Sequence, residues 1–400
     1  MSRTLSPGRG NQLDATRRHN LSIILTTVHR HPGVSRAELT RLSGLNRSTV
    51  GALVGELADL GLVREVAPAE HASRGRPSAQ VYPRAEITAL AINPDLDAVT
   101  IGLVGLGGTV YQRERYPWSG PPTVAETIKV ASTVLTRIRR ETNPMPRVVA
   151  AGVAVPALVR SDDSSIVRAV HLDWTAEPLG EMLTAALGIP VVVRNDARVA
   201  TIAETVFGAG RGVSDLVYLN GSPSGIGGGA VVDGVTLRGY DGFGGEMGHT
   251  AVVGGREQCH CGRRGCLETE VSLGRLLAAL GRDSVDPGDL DDDLSRAASN
   301  PAVRAEIQRQ LNVLAGAIGN FVSIFNPEVV ILGGFLSSLY AVAPEVLDAA
   351  VAHDSFAQIS ASARIERAQL GSRLLLVGAA ELALLPLLRD PAAHAIGTLR

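Results

Sequence analysis

At 400 residues, with 45% apolar and 20% charged, the chain is too long for one small domain and too apolar for general disorder. Three cysteines argue against a disulfide framework, and the longest apolar run, Val148 to Val159, is broken by Gly152 and Pro156 short of the ~18 residues of a membrane span. The net charge of −2 hides an asymmetry. Residues 1–84 carry 12 Arg against 6 acidic residues, a surplus of six, so a polyanionic partner is expected for the first fifth. The opening residues MSRTLSPGRGNQLD lack the apolar core of a secretory signal, and the chain is expected to be soluble and cytoplasmic.

Residues 12–30 place Leu13, Leu21, Ile24, Leu25 and Val28 on one helical face, and His31, Pro32 and Gly33 end that helix. Ser35 and Glu38 form a capping box with Leu39 and Leu42 behind it. After the Ser43-Gly44-Leu45 turn, Asn46 is the expected N-cap of a third helix that turns Val50, Leu53, Val54, Leu57 and Leu60 inward. This order is that of a helix-turn-helix, whose last helix offers its start to the major groove. Here that start is Arg47-Ser48-Thr49, one guanidinium and two hydroxyls suited to phosphates and base edges. Strands at 62–66 and 80–82 complete a winged helix, with Arg74 and Arg76 at the wing tip suited to a minor groove or a phosphate. Double-stranded DNA is the expected partner.

Beyond Pro83, strand and helix patterns alternate, as in α/β layers. Short strands at 89–92 and 98–103 are joined by the polar turn Asn93-Pro94-Asp95-Leu96-Asp97. Helices follow at 124–139, 179–187, 197–207, 311–325 and 378–388, and strands at 148–155, 191–193, 216–219, 229–232 and 329–332. Residues 281–293 read as a Gly/Asp-rich loop. Gly225 to Gly229 reads as a phosphate-cradling loop or a β-turn, and Gly105 to Gly108 as a hairpin.

All three cysteines fall within eight residues, Cys259, Cys261 and Cys266, downstream of His249. Three thiolates and an imidazole complete a tetrahedral Cys3His set for Zn2+, a closed shell that is structural rather than catalytic. His260 competes as a ligand, but its neighbours on both sides occupy the set. Arg194-Asn195-Asp196 ends a buried strand and begins a helix, where α/β folds place ligand groups. With Glu246 and Glu268 flanking the cysteine knot, these acceptors suit a ligand rich in hydroxyls.

These residues resemble the ROK family of bacterial sugar-responsive repressors and sugar kinases. GGEMGH followed by CHCGRRGCLE is similar to its zinc signature, RNDAR to its Asn-Asp motif, GVAVPALV to a small-lobe strand and FNPEVVILGG to a late strand-turn. The resemblance implies an α/β, actin-like, two-lobed sugar-kinase fold behind the winged helix. The expected domains are 1–84 for the winged helix, 85–205 for a small lobe completed by 373–400, and 206–372 for a large lobe with the zinc site. It implies Zn2+ on His249, Cys259, Cys261 and Cys266, and a sugar on Asn195, Asp196, Glu246, His249 and Glu268. In kinase members the residue matching Asp196 is the base that activates the sugar hydroxyl. Those kinases carry an Asp-x-Gly-Gly-Thr turn for the phosphates; Asn93 to Asp97 lacks its glycines and brings two carboxylates instead. Pro223 likewise removes a donor from the second loop, Gly221 to Gly225. The expected function is therefore a non-enzymatic repressor, a homodimer or dimer of dimers, with the sugar between the lobes. A hexose kinase bearing a DNA-binding domain, with Asp196 as base, is the alternative.

Overall fold

The computed structural model describes residues 9–67, 79–141, 146–285, 288–354 and 363–395. They fall into two compact units: 1–153 with 182–192 and 379–400, and 154–181 with 193–378. Residues 154–181 and 193–205 thus group with the second unit, across the boundary expected at 205.

The chain opens with α1 (Arg9–Arg30), β1 (Val34–Ser35), α2 (Arg36–Ser43), α3 (Arg47–Asp59), β2 (Val63–Val66) and β3 (Gln80–Pro83). Leu21, Ile24, Leu25 and Val28 of α1 are buried, as the periodicity requires. The Ser35 hydroxyl accepts from the Glu38 N–H while the Glu38 carboxylate accepts from the Ser35 N–H, so both orphan donors are satisfied. Asn46 caps α3 by accepting from the Thr49 N–H at 2.9 Å. The three strands pair in the order β1-β3-β2, which completes the winged helix. Residues 68–78, with Arg74 and Arg76, lie outside the described residues.

The next sheet, most of it in the first unit, is built of β4 (Ile87–Asp95), β5 (Ala98–Gly105), β6 (Val110–Pro117), β7 (Arg147–Val155) and, after the short strands β8 (Leu158–Val159), β9 (Ile166–Ala169) and β10 (Trp174–Glu177) of the second unit, β11 (Val191–Asn195). Its order is β11-β7-β4-β5-β6, with β4 antiparallel to β5 and parallel to β7. The amphipathic α4 (Val124–Glu141) buries Val130, Val134, Leu135 and Ile138, and α5 (Leu179–Leu187) leads into β11. The polar turn expected at 93–97 is shorter than its composition suggests. Pro94 pairs with Val99 and Asp95 with Ala98, so the ladder continues to a tip of Leu96 and Asp97.

The second unit repeats this strand plan. After α6 (Asp196–Phe207) come β12 (Leu216–Ser222), β13 (Gly225–Val232), β14 (Val235–Thr236), short helices α7 (Leu267–Glu270), α8 (Leu273–Leu280) and α9 (Leu290–Ala297), then α10 (Pro301–Phe325), β15 (Val329–Gly334), α11 (Phe335–Val342), α12 (Pro344–Asp354) and β16 (Arg364–Arg367). The sheet order is β14-β13-β12-β15-β16, again an antiparallel meander followed by parallel strands. A meander that turns parallel, built twice, is the actin-like sugar-kinase arrangement. Val217, Leu219, Leu311, Leu314, Ile318 and Leu332 form the centre of this unit's core.

Two expectations are corrected here. Gly225 to Gly229 is neither a phosphate loop nor a turn but the first half of β13, paired residue for residue with β12. The glycines are needed because α6 lies against the strand: a Cβ on Gly227 would come within 2.5 Å of the Ala197 Cβ, and one on Gly229 within 2.3 Å of the Thr201 hydroxyl. Asp291, Asp292 and Asp293 are not loop residues but the first turn of α9, where carboxylates face the positive end of the helix dipole. Asp293 is buried between Arg282 and Arg296.

The chain ends with α13 (Leu374–Arg389) and α14 (Pro391–Ala395). Residues 371–389 form a helical stretch whose 18-residue window has a mean hydropathy of 1.6, long and apolar enough by composition to cross a membrane; broken only by Glu381 between Leu374 and Leu388, it is a longer apolar stretch than the one expected at Val148 to Val159. Leu376, Val377, Ala379, Ala380, Leu384, Leu387 and Leu388 are buried within the protein, which explains its composition.

Candidate functional site

The second unit encloses a cavity of about 700 Å³. Its floor is the junction of β11 and α6. Asn195 is the N-cap of α6, its side-chain oxygen accepting from the Arg198 N–H while its amide donates to the Ala157 carbonyl at 3.2 Å. Asp196 follows as the first helical residue and accepts from the Ala197 N–H at 2.8 Å. Both line the cavity together with Glu246, His249 and Glu268, so all five residues expected to hold a sugar share one wall. Every lining residue belongs to the second unit.

A short 3-10 turn at Met247–His249 carries His249 to this wall. It packs so closely on β13 that a Cβ on Gly248 would stand 1.8 Å from the Ile226 carbonyl oxygen, so only glycine fits. Glu246 precedes the turn. Burial pushes its carboxyl up, and the neighbouring charges of Asp196 and Glu268 add to the shift.

Sulfur and nitrogen donors gather beside this wall. His249, Cys259, Cys261 and Cys266 offer donor atoms that all lie within 4.8 Å of one another, an arrangement able to hold a metal ion. Cys259 Sγ is 3.6 Å from His249 Nδ1, and the Cys261 and Cys266 sulfurs are also 3.6 Å apart. Gly262 and Gly265, at φ of +91° and +72°, fold the backbone around the group. Burial raises the Cys259 and Cys266 thiols. Burial also opposes ionisation of Cys261, but hydrogen bonds from Arg263 and from the other two thiols outweigh it and bring that thiol down to about 7.

Glu268 plays a wider part than the sequence shows. Its carboxylate accepts from the Cys259 thiol at 3.0 Å and lies 3.2 Å from His249 Nδ1 and 3.3 Å from His260 Nδ1. A second donor set, His249, Cys259, His260 and Glu268, therefore overlaps the first. Asn220, Ser224, Arg168 and His171 also line the cavity and were missed by sequence reasoning. Arg168 and His171 stand on β9 and the turn after it, in a stretch without a recognisable motif.

The two loops that depart from the kinase pattern differ in position. Ser222, Ser224 and Gly225 line the cavity, with the Ser222 and Ser224 hydroxyls 2.8 Å apart. Asp95 and Asp97 sit at the β4–β5 tip in the first unit, where Asp97 pairs with Arg115 at 2.6 Å.

At the other end of the chain, Arg47, Ser48 and Thr49 occupy the first turn of α3, with Arg47 and Ser48 exposed. Ser48 donates to the Asn46 side chain at 2.7 Å.

Residues 90–385 match the model of the ROK family. The chain belongs to the ROK family. Residues 22–74 match the MarR family model, in accord with the winged helix. A putative xylose repressor of Caldicellulosiruptor sp. (strain Rt8B.4) is 28% identical over 93% of this chain and 97% of its own length. A glucokinase of Streptomyces coelicolor is 32% identical over 74% of this chain and 97% of its own. In fold, the chain is similar to a crystal structure of a ROK family transcriptional regulator, a homolog of the E. coli MLC protein. That match has a TM-score of 0.75 at 23% identity, covering 95% of this chain and 97% of the other.

Proposed function

We propose that this ROK protein is a sugar-responsive transcriptional repressor of the cytoplasm. The observation that carries this reading is one chain holding both halves of such a device. A winged helix leaves Arg47 exposed at the start of α3, and a cavity of about 700 Å³ gathers Asn195, Asp196, Glu246, His249 and Glu268. Those acceptors suit the hydroxyl donors of a sugar. The xylose repressor relative aligns over nearly the full length of both chains, winged helix included. A homodimer reading two half-sites fits a single winged helix per chain.

Zinc fits the cysteine-histidine set. At Zn–S distances near 2.3 Å, the edge of a tetrahedron is about 3.8 Å, close to the 3.6 Å sulfur separation found here. His249, Cys259, Cys261 and Cys266 would fill all four positions, so the ion would brace the wall that carries Glu246, His249 and Glu268 and leave no open coordination site.

The kinase reading keeps two supports, Asp196 on the cavity wall and the glucokinase relative. Against it stand the carboxylates at the β4–β5 tip and Pro223 in the second loop, which disfavour a polyphosphate. The deciding experiment is a gel shift of the protein on DNA upstream of its own gene, with and without a panel of sugars. A specific complex that one sugar strengthens or dissolves establishes the repressor. No complex at low salt, together with sugar phosphate formed from ATP and lost in Asp196→Asn, establishes the kinase instead.

A further inference from the structure

Asp196, Glu246 and Glu268 line the cavity with carboxylates, which accept hydrogen bonds; Asn220 on β12 lines it too and has an amide to donate. Which end of that amide meets a ligand is decided behind it. Tyr218 stands two residues earlier on the same strand face and is fully buried, and its hydroxyl donates to Asn220 Oδ1 at 3.0 Å. Burial, then the charges of Glu204 and Asp196, hold the phenol well above its ordinary range, so it keeps its proton and donates. The Asn220 oxygen is thereby engaged. Its Nδ2 has no hydrogen-bond partner among the described residues.

Gly333 makes room for this pair. It stands opposite Asn220 in the parallel ladder of β12 and β15, and a Cβ there would come within 2.4 Å of the Tyr218 hydroxyl and 2.9 Å of Asn220 Oδ1. Any side chain would displace one partner or the other. The ladder also locates Asn220. It pairs directly with Gly227 on β13, so the two share one face of the sheet. That face packs on α6: Tyr218 shares a core with Ala200, and a Cβ on Gly227 would stand 2.5 Å from the Ala197 Cβ. From Tyr218 to Asn220 the strand therefore runs from Ala200 towards Ala197, and Asn220 emerges at the start of α6, where Asp196 meets the cavity.

Given a sugar in this cavity, as proposed above, we propose that Asn220 is a specificity-determining residue: its amide donates to the oxygen of one sugar hydroxyl whose proton Asp196 accepts. Tyr218 is the positioning residue that keeps Nδ2 towards the ligand. A carboxylate alone asks only that the ligand donate. A donor and an acceptor side by side require a group that does both, as a hydroxyl does and a ring oxygen, a deoxy carbon or an ammonium does not.

The test is calorimetric titration of the full chain with D-glucose, D-xylose and N-acetyl-D-glucosamine, with melting temperatures measured alongside. The proteins are the wild type, Asn220→Asp, Asn220→Ala, Tyr218→Phe and the double variant of Tyr218→Phe with Asn220→Ala. Asn220→Asp keeps an oxygen for Tyr218 and alters only the end that meets the ligand. It should melt near the wild-type temperature and lose about tenfold in affinity for the sugar that binds. Tyr218→Phe frees the amide to turn and should lose roughly threefold. The double variant should bind no worse than Asn220→Ala, because Tyr218 acts only through Asn220. A phenol that merely props the strand would cost affinity again in the double variant, which overturns the positioning of Asn220 by Tyr218. Binding that survives unchanged in both Asn220 variants overturns the proposal alone; wild-type protein that binds none of the three sugars overturns the sugar reading and this proposal with it. Should Asn220→Ala fail to fold, Asn220→Asp carries the comparison.

Discussion

His29 Nε2 lies 2.7 Å from Glu381 Oε2, with both residues buried, and the Gly107 N–H donates to His29 Nδ1 at 2.9 Å. The second contact settles the first: Nδ1 accepts, so the proton resides on Nε2 and points at the carboxylate. One imidazole thereby ties α1 of the winged helix to α13 and to the β5–β6 turn, within the first unit. Arg18 adds an exposed contact from α1 to Asp390 at 3.3 Å.

Removing either partner leaves a buried polar atom of the other, the His29 Nε2 proton or the Glu381 carboxylate, without the bond the pair supplies. His29→Ala and Glu381→Ala should each lower stability by about 3 kcal/mol, read as a lower denaturation midpoint. Glu381→Gln keeps an oxygen acceptor for the Nε2 proton and should lose much less. Equal midpoints for Glu381→Ala and the wild type would show that the pair holds nothing.

Arg47 stands exposed in the first turn of α3, whereas the Ser48 hydroxyl is engaged by Asn46. Arg47→Ala should weaken operator binding, and if its partner is a phosphate it should weaken all sequences alike and make the salt dependence shallower by about one ion. Asn46→Ala removes the cap and should cost about 1 kcal/mol of helix stability, read by thermal melting. An Arg47→Ala protein that binds its operator as the wild type does would place the interface elsewhere.

The structure shows where the sequence was readable. The helix-turn-helix stood out because its caps are local: Ser35, Glu38 and Asn46 make bonds within three residues, so type and spacing suffice. The cysteine knot was equally plain. Gly225 to Gly229 misled because its glycines answer to Ala197 and Thr201, about thirty residues upstream and on another element. The α9 carboxylates were masked by Gly281, Pro287 and Gly288 before them in the sequence. Glu268 lines the cavity, but its bonds to Cys259 and the two histidines depend on tertiary packing that no spacing reports.

Gly248 has no room for a side chain, since a Cβ would meet the Ile226 carbonyl at 1.8 Å with backbone on both sides of the clash. Gly248→Ala must push the His249 turn off β13, at a cost of about 3 kcal/mol. The same shift moves Glu246 and His249 together, so sugar affinity and metal retention should fall in parallel. Gly274→Ala, where a Cβ meets nothing within 4 Å, is the matched control and should behave as the wild type.

Metal removal should expose the cysteines in a fixed order. Bound thiolates are shielded by the ion, so thiol reagents should label the native protein slowly, and chelation should lower its melting temperature. Once the metal is gone, Cys261 is both exposed and the most acidic of the three, at about 7, while burial holds Cys259 and Cys266 high. Thiolate is the reactive form. Labelling of the chelated protein at Cys261 should therefore rise through about pH 7 and level off above it, with Cys259 and Cys266 following only as the fold opens. Mass spectrometry of the modified peptides reads the order directly. Rapid labelling of all three sites before chelation would show that these thiols hold no ion.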